Sequence, residues 1–188
     1  GVGSAIGTDT DYTFTIALGD MDGDSDLDVV AGNHNSANKL YLNDGDAAPF
    51  DTLGAGTDIG TETDSTRNIA VGDMDGDGDL DVVAGKGAAA NRLYLNDGDA
   101  APFSPASAGA AIGSESDVTY GVALGDVDDD GDLDVAAANF NQTNKLYLND
   151  GDATPFDPVA AGSSIGSDTD STAAIALGDV DGDGDLDV

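Results

Sequence analysis

The strongest constraint on this chain is an internal repeat of 53 residues. The acidic stretch that begins at Asp20 recurs at Asp73, Asp126 and Asp179, with no insertion or deletion between copies. A period of this length is typical of tandem arrays, in which each unit buries its apolar surface against the next unit. The sequence therefore predicts one structural unit used several times rather than a single independent core.

The acidic stretch follows the pattern Asp-x-Asp-x-Asp-Gly-x-x-Asp in three of its four copies, and the first copy has Ser25 in place of the Gly. In the second copy, Asp73, Asp75 and Asp77 can direct carboxylate oxygens to one centre, and Gly78 permits the backbone to fold back. Asp81 adds a carboxylate after the turn. Carboxylates this close together require a counter-ion. A set of oxygen ligands without His or Cys favours Ca²⁺ over zinc or copper, and over Mg²⁺, which demands a stricter octahedron.

An EF-hand is the main alternative for such a loop. It requires a bidentate Glu at the twelfth position and a helix on each side. The twelfth position here is Ala84, and the flanking residues 69–71 and 80–84 are short, apolar and rich in β-branched side chains. These flanks favour strands, and no helical period occurs elsewhere, so the sequence predicts an all-β fold.

An acidic loop of this pattern between two strands resembles the calcium loop of FG-GAP repeats of the VCBS type, which form the blades of integrin-like β-propellers. Residues 91–99, Asn-Arg-Leu-Tyr-Leu-Asn-Asp-Gly-Asp, resemble the third strand and following turn of bacterial members. The resemblance covers the whole chain and implies blades of about four antiparallel strands, with about one Ca²⁺ per repeat. Because closed propellers typically have 4 to 8 blades, we expect three full blades and a split fourth, as a partial propeller or an open, assembling array.

The resemblance also assigns four carboxylate ligands and one backbone-carbonyl ligand to each loop. The carboxylates would come from Asp20, Asp22, Asp24 and Asp28; Asp73, Asp75, Asp77 and Asp81; Asp126, Asp128, Asp130 and Asp134; and Asp179, Asp181, Asp183 and Asp187, and the carbonyls from Asp26, Asp79, Asp132 and Asp185. The side chain of Asp79 is expected to face outward. Two loops depart from the pattern, because Ser25 and Asp129 occupy positions where the other loops have Gly.

The repeat also sets the expected units. Residues 1–11 close a preceding blade, residues 12–64, 65–117 and 118–170 form three blades, and residues 171–188 begin a fourth. Because the sequence opens within one repeat and stops just after the fourth loop, we expect it to belong to something longer. Either the continuing chain or another molecule would then supply the missing strands.

Charge restricts the partners and the compartment. The chain has 38 acidic and 5 basic residues, a net charge of -33, which disfavours nucleic acid and anionic membrane surfaces. No apolar run predicts membrane insertion, and the absence of Cys excludes disulfides and thiolate metal sites. Open calcium sites of this kind resemble those of extracellular modules, which fill at millimolar calcium, so we expect a secreted or cell-surface protein.

No catalytic residue can be nominated from the sequence. An active site usually breaks the symmetry of a repeat, whereas these repeats differ mainly in small or conservative ways. The only histidine, His34, is expected to be exposed, and no carboxylate pair stands apart from the loops. Tyr41, Tyr94 and Tyr147 recur at one position, which favours packing across strands over a carbohydrate platform.

These observations predict a non-catalytic, calcium-binding extracellular scaffold for adhesion or ligand binding, in which calcium is structural. Its expected partners are calcium, other copies of the chain, and a cell-surface protein or glycan. Two alternatives remain open. One is a subunit of a fibre or cell coat that assembles head-to-tail through the split blade, and the other, less favoured, is the propeller part of a polysaccharide-acting enzyme.

Overall fold

The computed structural model describes residues 5–46, 49–50, 54–99, 101–157 and 160–188, so residues 1–4 of the predicted first segment lie outside it. These ranges contain strands and no helix, and hence no helix able to cross a membrane. The twelve strands are β1 Thr13–Gly19, β2 Asp28–Asn33, β3 Asn38–Tyr41, β4 Thr57–Ile59, β5 Thr66–Gly72, β6 Asp81–Lys86, β7 Asn91–Tyr94, β8 Ala110–Ile112, β9 Thr119–Gly125, β10 Asp134–Asn139, β11 Asn144–Tyr147 and β12 Ser163–Ile165.

The strands form three antiparallel sheets of four strands each. Their orders are β1-β2-β3-β4, β5-β6-β7-β8 and β9-β10-β11-β12, so every strand pairs with its neighbour in sequence. Each sheet uses equivalent residues of one repeat, and neighbouring sheets contact each other through their inner strands β1, β5 and β9. The predicted all-β fold of propeller-type blades is confirmed, and the sheets form a partial, open array.

The second strand of each blade forms its core. Every residue of β2, β6 and β10 is buried, and the valines at their centres, such as Val30 and Val83, are fully inaccessible. Between their first and last residues these strands consist of Val, Ala and Gly, because a sheet covered on both faces has no solvent side to supply with polar residues. Each fully buried valine contributes about 1.5–3 kcal/mol relative to an exposed one.

A glycine at the end of each inner strand allows the blades to approach closely. A Cβ atom on Gly19 would lie 2.8 Å from Leu80 of the next repeat, and one on Gly72 would lie 2.9 Å from Leu133. A Cβ atom on Gly125 would likewise lie 2.8 Å from the side chains of Leu177 and Leu186, in residues 171–188. The last segment therefore packs on the third blade by the same contact that joins the complete blades.

Residues 171–188, predicted to begin a fourth blade, contain no extended strand. They form an isolated bridge between Gly178 and Asp187. Their approach to the third blade is fixed by a hydrogen bond from the Thr172 amide to the Asn139 carbonyl, 3.0 Å.

An acidic residue in each connection between blades ties the connection to the third strand of the next blade. The Tyr94 hydroxyl donates to Glu62 Oε2 (3.2 Å), while Glu62 Oε1 accepts from the Gly109 amide (3.0 Å). Asp9 and Glu115 occupy the same position before the first and third blades. The recurring tyrosines are buried in these contacts, as their predicted packing role requires.

Candidate metal centre

The structure brings three aspartates of every acidic loop together, at the end of the blade where the inner strand passes to the second strand. One carboxylate oxygen of each lies within 4.8 Å of the other two. The members are the first, third and ninth residues of the loop, namely Asp20, Asp22 and Asp28; Asp73, Asp75 and Asp81; Asp126, Asp128 and Asp134; and Asp179, Asp181 and Asp187. Each cluster could hold a metal ion.

The ninth aspartate is the anchor of the cluster. Asp81 opens β6 and is fully buried; its Oδ2 accepts from the Met74 amide (2.8 Å) and its Oδ1 from the Asn96 amide (2.8 Å). Burial raises the pKa of Asp81 to about 7, although these hydrogen bonds oppose the rise. Burial raises the pKa of Asp28 and Asp134 as well. A carboxylate in this position is costly to ionise, and a nearby cation would offset that cost.

The first aspartate determines the path of the loop. Asp73 Oδ2 accepts from the Gly78 amide (3.0 Å), and Asp73 Oδ1 accepts from the Gly76 amide (2.8 Å). Asp20 makes the equivalent bond to the Ser25 amide at 2.9 Å, and Asp126 makes it to the Gly131 amide at 2.9 Å. The loop is thus wrapped around its first carboxylate by local hydrogen bonds, as expected of a tight turn rich in Asp and Gly.

The carboxylate oxygens of the first and third aspartates indicate whether the cluster suits a cation. Burial and then the charge of a neighbouring aspartate raise the pKa of Asp22 and of Asp75. Asp75 Oδ1 and Asp20 Oδ1 are buried, and no described residue donates a hydrogen bond to them. Buried carboxylate oxygens without a donor, in a cluster composed only of oxygen ligands, are suited to a hard divalent cation.

The fifth and seventh aspartates lie outside these clusters. The fifth ones, Asp24, Asp77, Asp130 and Asp183, each accept from the backbone amide two residues later, at 2.9 to 3.1 Å. Among the seventh ones, the Asp79 carboxylate lies against Gly98, where a Cβ atom would approach Asp79 Oδ2 to 2.0 Å, and Asp26 and Asp132 lie against Gly45 and Gly151. Asp185 is exposed. Ligand roles for these eight residues remain predictions.

The two departures from the loop pattern have different effects. Ser25 adopts a left-handed backbone with φ of 77°, the region that Gly78 occupies in the second loop. A non-glycine residue there costs roughly 1–2 kcal/mol, so the first loop carries strain. Asp129 also has positive φ, and its side chain meets Asp185 of the next loop, whose hydrogen bond and charge raise the pKa of Asp129. Its charge therefore acts between loops.

Sequence reasoning missed an asparagine that connects each of the first two loops to the following blade. Asn96 Nδ2 donates to the Met21 carbonyl of the first loop (2.8 Å) and to the Leu80 carbonyl of its own loop (3.2 Å). Asn149 repeats this with the Met74 carbonyl at 2.7 Å. The recurrence of Asn at the start of each Asn-Asp-Gly-Asp segment was the available signal, but these segments were interpreted only as turns.

Comparisons with known proteins agree with this architecture. No curated protein matches the chain significantly. A family model described as an FG-GAP-like repeat matches three overlapping segments, residues 20–84, 75–137 and 126–188. Each match begins in one acidic loop and extends through the next, so all four clusters are included. Since these segments cover most of the sequence, the chain belongs to the family of FG-GAP-like repeat proteins.

Proposed function

We propose that the protein is an extracellular, non-catalytic scaffold for adhesion or ligand binding, whose blades are stabilised by Ca²⁺. The observation that carries the proposal is the repeated cluster of three carboxylates, one of which is fully buried in each complete blade. Three acids so close together repel one another, and burial increases this repulsion because the surroundings screen it poorly. A structural cation turns that repulsion into attraction.

The hydrogen bonds around the cluster indicate what an ion would stabilise. Asp73 fixes the path of the loop, and Asp81 begins the second strand. Asn96, at the start of the turn after the third strand, bonds to Asp81 and to the Leu80 carbonyl of the loop. An ion bound to the carboxylates would hold these three elements together by Coulomb attraction, so its binding energy would contribute to folding. At a hundredfold excess over the dissociation constant, one independent site contributes about 2.7 kcal/mol.

Calcium is favoured over magnesium because the ligands are numerous, flexible and all oxygen. Sites of this kind in extracellular modules have dissociation constants around 10⁻⁴ to 10⁻³ M, a range that supports a location outside the cell. The family supports a repeat scaffold, and within the described residues the groups of carboxylates close enough to hold a metal ion are those of the four acidic loops. Both observations favour a binding or structural role over catalysis.

Thermal melting and calorimetric titration test the proposal. Calcium should raise the melting temperature relative to chelator, magnesium should do so less, and about four ions should bind per chain. Asp75→Asn keeps the shape of the side chain but removes a charge from one cluster, so it should reduce the number of bound ions by about one. Asp97→Asn, in an exposed turn outside the clusters, is the matched control. A melting temperature that calcium leaves unchanged would contradict the proposal.

A head-to-tail assembly is a second candidate, favoured by an uncovered face on the first blade. Leu18 and Leu27 are 54% and 57% exposed, although their equivalents Val71 and Leu80 pack on Gly19. At the other end of the array, a Cβ atom on Gly178 would meet no atom within 4 Å. A second copy could join these faces. Sedimentation at several concentrations tests this, and Leu27→Asp should abolish any association.

A further inference from the structure

The ends of the blades opposite the acidic loops carry side chains that differ between repeats. The second residues of β1, β5 and β9 are Phe14, Arg67 and Tyr120. The Arg67 guanidinium carbon lies 5.4 Å from the centre of the Phe14 ring and 4.8 Å from that of the Tyr120 ring. A guanidinium is thus placed within cation–π distance of aromatic rings from both neighbouring blades.

Further aromatic side chains extend this arrangement on both sides. Tyr12 and Phe14 pack edge-to-face with centres 5.3 Å apart, Phe14 and His34 lie 5.1 Å apart, and Tyr120 and Phe140 lie 5.1 Å apart. Three of these rings remain accessible, with Tyr12 67% exposed, Phe14 41% and Phe140 39%. We call the six residues the aromatic–arginine patch: Tyr12, Phe14, His34, Arg67, Tyr120 and Phe140.

The middle blade is adapted to hold the arginine. Gly87 stands where the neighbouring blades have His34 and Phe140, and a Cβ atom on Gly87 would lie 2.8 Å from Arg67 Nε. His34 is half-buried rather than exposed as predicted, and its Nδ1 lies 2.7 Å from Ser65 Oγ. The repeats therefore break their symmetry at this end, where unlike side chains meet, while the acidic loops stay alike.

Arg67 differs from the other basic residues in its pairing. Lys39, Lys86, Arg92 and Lys145 each form an ion pair with an acidic side chain. Arg67 forms none with the described residues, and its Nε is buried without an acceptor among them. In a chain with a net charge of -33, a guanidinium without a carboxylate partner is a notable exception. Its terminal N–H groups make no hydrogen bond with the described residues, and a guanidinium presents them in a planar fork that suits a planar anion.

We propose that the aromatic–arginine patch binds uronic acid residues of an acidic polysaccharide. The Arg67 guanidinium pairs with the sugar carboxylate, because its fork of N–H donors matches two carboxylate oxygens. The exposed rings of Tyr12, Phe14 and Phe140 offer flat apolar faces with little conformational entropy to lose, and the C–H face of a pyranose ring packs against such a surface. Because aromatic rings lie on both sides of Arg67, consecutive sugars of one chain can each pack against a ring.

An acidic peptide fits the patch less well. Peptides are commonly recognised through main-chain hydrogen bonds, but the nearest described backbone amides are already used. The amides of His34, Gly87 and Phe140 donate to the carbonyls of Tyr12, Ser65 and Val118 at 2.8 to 2.9 Å. A sugar ring needs only a stacking surface and one partner for its carboxylate.

The site is independent of the proposed calcium loops. Six residue steps along β1 separate its two ends, about 20 Å at 3.3 Å per residue. Failure of calcium binding would therefore leave this proposal intact, and failure of sugar binding would leave the calcium proposal intact. Because the protein is strongly acidic, the assay needs about 0.15 M salt, which confines its long-range repulsion of anions to roughly 8 Å.

The test is calorimetric titration with trigalacturonate, and with its methyl ester, which keeps the rings but removes the charge. The wild-type protein should bind the acid at least tenfold more tightly than the ester, as loss of a charge-assisted hydrogen bond implies. Arg67→Met keeps the aliphatic stem and should weaken binding of the acid at least tenfold. Arg92→Met removes an equal charge from β7 and should leave the affinity unchanged.

Two further variants and one comparison test the proposal even if Arg67→Met fails to fold. Arg67→Lys retains the charge without the fork and should lose affinity severalfold, as should Phe140→Ala, which removes an exposed ring. The comparison of acid with ester requires no variant. Equal binding of acid and ester, undiminished binding by folded Arg67→Met, or tighter binding of triglutamate than of trigalacturonate would each overturn the proposal.

Discussion

Replacing Asn96 with alanine tests whether a side chain holds the first acidic loop against the second blade. Asn96 is 2% exposed, and its Nδ2 donates to the Met21 carbonyl at 2.8 Å and to the Leu80 carbonyl at 3.2 Å. Its Oδ1 accepts from the Gly98 amide at 3.1 Å. The substitution removes all three bonds and leaves a carbonyl without its donor where two blades meet.

Asn43 supplies a matched control, because it occupies the same position in the first blade. Its side chain makes only the local bonds, to the Leu27 carbonyl (3.2 Å) and from the Gly45 amide (3.0 Å). Subtracting the effect of Asn43→Ala from that of Asn96→Ala therefore isolates the contact with Met21. A buried acceptor that loses its donor costs about 1–3 kcal/mol. At about 2–4 °C per kcal/mol, Asn96→Ala should melt roughly 2–12 °C below Asn43→Ala.

Urea unfolding and calorimetry in saturating calcium measure the difference. Asn149→Ala should behave like Asn96→Ala, because Asn149 makes the corresponding bond to the Met74 carbonyl. Chemical shifts of the loop residues in the folded variants would show whether the rest of the blade is undisturbed. If Asn43→Ala and Asn96→Ala destabilise the protein equally, the contact between blades contributes nothing and the reasoning is refuted.

Two further predictions concern pH and backbone geometry. Without metal, burial raises the pKa of the Asp81 carboxyl from its ordinary value of 3.8 to about 7. Protonated Asp81 therefore favours the folded state fully below pH 3.8, and this stabilisation is lost as the pH rises through about 7. The melting temperature in chelator should fall between pH 4 and 7.5, and calcium should counter the fall; a flat curve in chelator contradicts this. Gly98→Ala should cost more than Gly76→Ala, since both have positive φ but only the Gly98 Cβ would strike Asp79. Equal melting temperatures would show that the Asp79 contact is unimportant.

Local sequence was enough to predict the blades and the position of the clusters. The 53-residue period fixed the unit, and the β-branched flanks of each loop identified β5 and β6 as strands. The spacing of the aspartates predicted that Asp73, Asp75, Asp77 and Asp81 would converge, and the structure brings Asp73, Asp75 and Asp81 together but leaves Asp77 outside the cluster. Short-range hydrogen bonds shape this loop. These features depend on neighbours within about ten residues.

Features that depend on the packing of one blade on another could not be predicted in this way. The bond from Asn96 to Met21 spans 75 residues, and the approach of Phe14 and Tyr120 to Arg67 depends on the placement of three inner strands. Sequence alone gave no measure of those distances. It also treated each repeat difference as minor, whereas Arg67 and Gly87 are adapted to each other.

The asparagine contacts and the leucine contacts together connect the acidic loops in series. The second loop packs on the first blade through Leu80, and its Met74 carbonyl is held by Asn149 of the third blade. The second loop therefore has a packed neighbour on both sides. Distortion of this loop must be transmitted to the two adjoining blades. Under the proposed calcium binding, an ion in the second loop would therefore also act on its contacts with the first and third blades.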